Sequence, residues 1–511
     1  MMVARSAWPT RRARAWLVGS CAMVVVFLGF AQTPAALWVA MPLAFAGCLV
    51  AVRWPATSAL LLLASVPAQE LGSAGPLTAT RACLALALAV WAIVLLVQRA
   101  RIDLHRFQLL YVALLVVMFS TITQARDWHA SLAEIARWSI AFAAFVVLLQ
   151  FFGHSTPRHL LPLIATVAAL GALEALFGLA QSAVAAGPAS FQIGAVTRAF
   201  GSFGRPNSFA GYLELTLFPT FWIGVHYLSL LPRALACYRE VRLTGMHASR
   251  AARARLYWTT MLAGGFLSCA ALMLAAVAAS YSRGAWLGVA IAMGVTALLF
   301  ARWARMIALI LLPVGALILL GGSAQLVPGS INARIGSIVD EARPFDASSV
   351  IITGANFAAV ERMAHWQAGW RMFEDHPVLG VGVGNFNTRY PDYYVRSEFR
   401  ISQGHAHNIY IQMLAETGIA GLTAFLLLTL SFLALAVQVV LRAPPGFARM
   451  LALGAVGTLA SVATHNVFED LQVLNLGVQL AAIWVITIAA HRLWRAGEAT
   501  SDVPVVEYSA A

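Results

Sequence analysis

Residues 418–440 read GIAGLTAFLLLTLSFLALAVQVV, a run with no charged side chain. About 20 such residues cross the hydrocarbon core of a bilayer as a helix, and within that core a lone segment satisfies its backbone only by being helical. Comparable runs recur along all 511 residues, of which 60% are hydrophobic and 11% charged, with a mean hydropathy of +0.78. Soluble domains carry about 25% charged residues, so a soluble class is excluded. The chain reads as all-α, a polytopic membrane helical bundle. Spans are expected near 15–31, 34–52, 55–69, 80–98, 107–124, 131–152, 159–183, 207–231, 257–280, 284–301, 306–324, 418–440, 450–466 and 472–490. That makes about fourteen transmembrane helices, or 12–14 with the short third run, which Pro67 interrupts.

Outward from the opening run, the N-terminal side is polar for roughly eighty residues and ends at His407-Asn408, with nine residues between Asn408 and Gly418-Ile419-Ala420-Gly421. This arrangement sets an imidazole and an amide where water meets the bilayer, with glycines behind them that permit close helix approach. The division expected is 1–324 for the N-terminal spans, 325–406 for one large loop, 407–495 for the C-terminal spans and 496–511 for a tail. Within the loop, Val360, Met363, Ala364, Trp366, Trp370 and Phe373 recur at helical spacing, which predicts an amphipathic helix on the membrane surface. Gly380, Gly382 and Gly384 then predict a flexible turn.

Net charge is +13, and every basic residue is arginine. The arginines cluster in short loops, as at Arg11, Arg12 and Arg14, at Arg99, Arg101 and Arg106, and from Arg233 to Arg255. That pattern marks the cytoplasmic side of a membrane protein. Anionic membrane lipids are therefore the expected partner of this charge, and nucleic acid is not. Loop 233–256 reads as a helical hairpin extension. The basic N-terminus and first run read as a retained signal-anchor. None of Cys21, Cys48, Cys83, Cys237 and Cys269 falls in the long loop, so neither a disulfide framework nor a CxxC metal site is expected.

By alternation of the spans, three clusters face the side opposite the arginine-rich loops. The first runs from Phe200 through Gly204-Arg205-Pro206-Asn207 to Tyr212, with Asn207 placed to cap the following helix and Arg205 beside its N-terminus. The second is the tight turn Ser280-Tyr281-Ser282-Arg283-Gly284. The third is His405-Ala406-His407-Asn408, with Gln412 and Glu416 on one face beyond it. Each has a plain structural reading as an interface anchor, a turn or a bonded histidine. Together they suit a diphosphate: guanidinium forks bind phosphate oxygens bidentately, and an imidazole takes a proton from an attacking hydroxyl. No DxD-type acidic pair stands near them, so neither metal nor other cofactor is expected.

At these residues the chain resembles the O-antigen ligase family of membrane glycosyltransferases, whose superfamily includes polysaccharide polymerases and bacterial O-linked oligosaccharyltransferases. The resemblance rests on His407-Asn408-x9-Gly418-x2-Gly421, Gly204-Arg205-Pro206-Asn207, Ser282-Arg283-Gly284, and Arg362-x3-Trp366 through His376-Pro377-Val378-Leu379-Gly380-Val381-Gly382. It implies an enzyme of the bacterial inner membrane with its active site facing the periplasm. Such an enzyme takes glycan from undecaprenyl diphosphate without metal and passes it to lipid A-core or to a growing glycan. On that resemblance His407 is the candidate base, and Arg205 and Arg283 are the diphosphate contacts. Asn207, Asn408, Arg362 and Glu416 are then expected at the substrate. A polymerase or protein-directed transferase shares the donor chemistry. A polysaccharide-lipid transporter or flippase is the alternative of another class, for which Glu174 and Glu214 in the spans speak.

Overall fold

The computed structural model describes residues 54–70, 78–154, 156–194, 196–243, 249–307, 309, 345–354 and 356–497. The expected spans at 15–31 and 34–52, nearly all of 306–324 and the N-terminal signal-anchor lie outside the described residues.

The chain is an all-α, multi-pass membrane bundle, with ten described helices long and apolar enough to cross a bilayer. In chain order the helices are α1 (Ala56–Ala64), α2 (Ala79–Gln98), α3 (Arg106–Ser120), α4 (Trp128–Phe152), α5 (Pro157–Ala183), α6 (Pro206–Leu243), α7 (Ser249–Ala279) and α8 (Arg283–Phe300). The large loop supplies α9 (Phe357–Asp375), and α10 (Ile409–Arg442), α11 (Phe447–His465) and α12 (Leu476–Arg495) complete the bundle. The expected third span is corrected. Only the nine residues of α1 are helical there, and at 1.5 Å per residue they rise about 14 Å, less than half the hydrocarbon thickness. The helical extension expected over 233–256 is present, since α6 runs to Leu243 and α7 begins at Ser249.

Alternation of the helices sorts the connections to two ends. At one end, Arg492 grips Asp103 through two hydrogen bonds of 2.6 and 2.7 Å, and Arg449 donates to the carbonyls of Leu299 and Phe300. Arg99, Arg101, Arg106, Arg242, Arg302 and Arg305 sit at this same end. At the other end, Ile409 N–H donates to Asn466 O and Arg198 donates to Ser280 O, and there mixed polar turns replace the arginine clusters of the first end. Helix α11 is the hub. It packs against α6, α8, α10 and α12, and most of its side chains are buried. Its C-terminus, His465, emerges among the N-termini of α6, α8 and α10.

Two expectations about the loop are corrected. The stripe of α9 built on Val360, Met363 and Ala364 is buried inside the protein, with Ala347 and Phe399 against it. Ala368 and Met372 pack with Phe386 and Tyr390 in a neighbouring cluster. The helix thus spends its apolar face on the protein and leaves only side chains such as Phe357 and Trp370 exposed. The run 376–386 is a fixed strap and not a flexible turn. Val381 and Gly382 N–H donate to the carbonyls of Ala415 and Glu416 (2.8 and 3.0 Å), and Ile419 and Ala420 N–H donate to those of Pro377 and Val378 (2.9 and 3.3 Å). The strap occupies a break in α10 at Gly418, where φ is +61° and the backbone leaves the helix. Gly418 therefore serves this chain crossing, where close packing of two helices was expected.

Candidate active site

The loop before α10 is assembled by its own side chains. Asn408 is the N-cap and accepts from the N–H groups of Tyr410 and Ile411 (2.9 and 3.1 Å). Gln412, one turn on, accepts from Ala406 N–H at 2.7 Å. His407 is thereby held at φ +54°, a left-handed conformation that a non-glycine residue keeps only where its surroundings impose it. Its own N–H donates to His405 Nδ1 (3.1 Å), which leaves the His405 proton on Nε2.

The centre of the site is Glu469, a buried carboxylate in the turn after α11. Its Oε1 lies 3.2 Å from His407 Nδ1 and 3.6 Å from His405 Nε2, and its Oε2 accepts from Asn207 Nδ2 at 2.5 Å. Burial alone would raise this carboxyl. The hydrogen bond from His407 and the charges of His407, His405 and Arg362 more than reverse that and hold it well below the usual carboxylate range. An ionised Glu469 fixes the His407 proton on Nδ1. The Nε2 lone pair is then free, and among the described residues it has no hydrogen-bond partner. This is the orientation a general base requires.

The flanking clusters join the same network. Arg198 spans two of them, donating through Nε to Ser280 O (2.7 Å) and through Nη2 to Asn207 Oδ1 (3.0 Å). Asn207 does not cap α6, because the helix already begins at Pro206, with Phe209 N–H donating to Arg205 O. Its amide instead lies between Arg198 and Glu469. Arg205 is exposed at the N-terminus of α6, close enough to His405 for its charge to lower that imidazole in addition to the dominant effect of burial. Arg283 is half-buried and opens α8. Its neighbour Ser282 sets Oγ 3.2 Å from His465 Nε2, and Gly284 packs so tightly on the His465 ring that a Cβ would overlap it. Three helix N-termini, those of α6, α8 and α10, thus meet round the turn 465–470, with two guanidiniums at their mouths. Free N–H groups and aligned dipoles at such ends favour a polyanion.

The sequence-predicted residues divide accordingly. His407 and Asn207 bond to Glu469, Arg362 acts on it by charge, Arg205 stands near His405, and Arg283 joins through Ser282 and His465. Asn408 and Glu416 are both engaged by the fold through a side-chain oxygen. Asn408 is spent on its helix. Glu416 is buried, accepts from Phe386 N–H at 2.9 Å and holds the strap, beside a chamber of about 120 Å³ shared with Glu134, Arg137 and Asp470. Sequence reading did not find Glu469, Arg198 or His465. The only local signal for Glu469 and His465 was the polar string His465-Asn466 and Glu469-Asp470 interrupting two apolar runs.

Two further groupings are decided by burial and charge. Ser282, His465 and Glu214 stand in the order of a nucleophilic triad, with His465 Nδ1 at 2.6 Å from Glu214 Oε2. All three are buried, with Ser282 only 2% exposed, so they tie α6, α8 and α11 together and offer no reachable hydroxyl. Glu174 accepts from Ser202 N–H and braces the loop before α6. His405, His407 and Glu469 have ligand atoms within 4.8 Å of one another, spacing that could hold a metal ion. Arg362 and the Asn207 N–H set positive charge against the same carboxylate, which favours the hydrogen-bonded dyad over a cation.

Helix α9 closes the site from the loop side. His365 donates from Nδ1 to Glu361 O (2.7 Å) and accepts Gln403 N–H at Nε2 (3.3 Å), with its ring 5.7 Å from that of His407. Burial pushes His365 down to about 4, against the Glu361 bond, which raises it; the charges of His407 and His405 lower it further. Its unfolded value is about 6.5, so its contribution is complete above that pH. As pH falls from 6.5 to 4 the unfolded chain takes up the proton that the folded site refuses, and about 3 kcal/mol is lost over the window. Melting of the wild type should fall more steeply over that range than melting of His365→Gln; parallel slopes would show that His365 is not the group responsible.

Residues 268–426 match the family model described as O-Antigen ligase. The match takes in the Ser282-Arg283 turn, α9, the strap, His407 and Gly418, and leaves Arg205, Asn207 and Glu469 outside it. No curated protein matches the chain.

Proposed function

We propose that the chain, whose residues 268–426 match the O-antigen ligase family model, is a glycosyltransferase acting on glycan-lipids, an O-antigen ligase of the bacterial inner membrane. It moves a glycan from undecaprenyl diphosphate to a hydroxyl of lipid A-core on the periplasmic side. The observation that carries the reading is the Glu469–His407 pair, which leaves Nε2 unoccupied, with Arg205 near the neighbouring His405 at the end opposite the arginine-rich loops.

In this reading the acceptor hydroxyl loses its proton to His407 Nε2 as its oxygen attacks the anomeric carbon of the donor. The bond from that carbon to the diphosphate oxygen breaks, and the undecaprenyl diphosphate leaves carrying the bonding pair. Arg205 and Arg283 receive the growing charge at the helix N-termini, where fixed donors need no reorganisation. Glu469 keeps the imidazolium paired until the proton departs. The arginine-rich end faces the cytoplasm under the positive-inside rule, which directs the site to the periplasm.

The test is the surface polysaccharide of a deletion strain. Free core with long chains left on the lipid carrier is the expected result, and chelation of divalent ions should leave turnover in membranes unchanged. Single capped repeats on the core would make the protein a polymerase with the same donor chemistry. An unaltered glycan profile would end the transferase reading.

A further inference from the structure

Beside the site lies an open groove of about 450 Å³ that the transfer chemistry does not use. Trp366, Gln367, Trp370, Arg371 and Glu374 of α9 line one wall, and Asp346 lies across from them. Trp366 and Trp370 are four residues apart, so they stand on one face of the helix about 6 Å apart along its axis. Both rings are oriented in advance. Trp366 Nε1 donates toward His407 O at 3.4 Å, and Trp370 Nε1 donates to Glu374 Oε1 at 2.8 Å. Phe468, the residue before Glu469, lies 6.5 Å from Trp366 between ring centroids. A line of aromatic faces therefore runs from the catalytic carboxylate out along α9.

We propose that this groove is a glycan subsite, in which the apolar faces of successive sugar rings lie on Trp366 and Trp370 while Arg371, Glu374 and Asp346 engage ring hydroxyls. The proposal rests on the transferase reading and adds the place where the sugar chain lies. The lining fits a glycan better than lipid. Flat aromatic faces alternate with charged donors and acceptors, as a polyhydroxylated ring with two unlike surfaces requires, whereas acyl chains would leave three charges unsolvated. Gln367 is spent on the backbone at Phe345 and Ala347, which braces the groove rather than lining it with a free amide. The occupant is either the glycan of the donor or that of the acceptor, and the two share this chemistry.

Trp370 is 48% exposed, so its replacement should leave the fold intact, as an unchanged Tm would verify. The probe is the host's surface polysaccharide, released by mild acid, size-fractionated and titrated into the purified full-length protein. Loss of one aromatic platform is expected to weaken binding about tenfold in Trp370→Ala, Trp370→Tyr should restore most of it, and Trp370→Leu should not. In membranes, Trp370→Ala should raise KM for whichever substrate lies in the groove, which assigns it to donor or acceptor. Equal binding by wild type and Trp370→Ala would overturn the subsite, as would Leu performing as well as Tyr, the behaviour of a lipid anchor. Glycan binding without any transfer by the wild type would instead remove the transferase reading and leave the groove standing.

Discussion

Glu469→Gln is expected to lower glycan transfer by roughly three orders of magnitude, close to the loss from His407→Ala, while the protein remains inserted and folded. The reason is a count of hydrogens. Glu469 is surrounded by donors only: His407 Nδ1 and the Asp470 N–H at Oε1, and Asn207 Nδ2 at Oε2. A carboxylate accepts from all of them. Glutamine offers one oxygen and one NH2, so an N–H must now face either His407 or Asn207. If it faces His407, the ring moves its proton to Nε2 and the base is lost. If it faces Asn207, the amide must turn over, and Arg198 then meets an NH2 where it had an acceptor. Neither arrangement keeps both the base and the Arg205 turn in place. Since Glu469 acts through His407, the double variant should be no slower than His407→Ala alone. Single-turnover transfer in membranes separates the cases. A folded Glu469→Gln protein that transfers at the wild-type rate would reduce the pair to a structural contact, and a double variant much slower than either parent would show that the two act independently.

What the sequence disclosed and what it withheld follow from the range of each signal. Apolar runs, arginine clusters and the stripe of α9 are local properties, and the ten described membrane-crossing helices stand where those patterns placed them. His407, Arg205 and Arg283 stand out as candidates in the sequence because turn residues and ionisable groups coincide at span ends. Glu469 is different. It meets His407 across 62 residues and Asn207 across 262, and nothing beside it in the chain distinguishes it from an acid in an ordinary turn. The structural engagement of Asn408 and Glu416 is hidden from the sequence for a related reason. Residue type places a polar group near a site, but only the hydrogen-bond partner shows whether it is already engaged, here by the first turn of α10 and by Phe386 N–H. The short α1 was over-read because hydropathy measures transfer energy and is blind to whether the backbone continues as a helix.

The same blindness hid the break at Gly418, whose replacement by alanine should destabilise the protein strongly for one added methyl group. Apolar sequence continues through it, yet φ there is +61°, and an added Cβ would overlap the backbone carbonyl of Val378. Backbone cannot swing aside as a side-chain tip can. Either the strap retreats, breaking the hydrogen bonds from Ile419 and Ala420 and loosening the grip of Val381 and Gly382 on α10, or the helix straightens and expels it. We expect a loss of about 3 kcal/mol or more, combining the left-handed conformation with the overlap, and a matching fall in Tm and in folded yield. Gly194 separates the two causes, since it has the same φ of +61° but open space where a Cβ would go. Gly194→Ala should therefore show the conformational cost alone, about 1 kcal/mol. Because Glu416 and the strap support the loop that carries His407, whatever Gly418→Ala protein still folds should also transfer poorly. Equal melting of the two alanine variants would mean that the strap yields freely and does not brace the site.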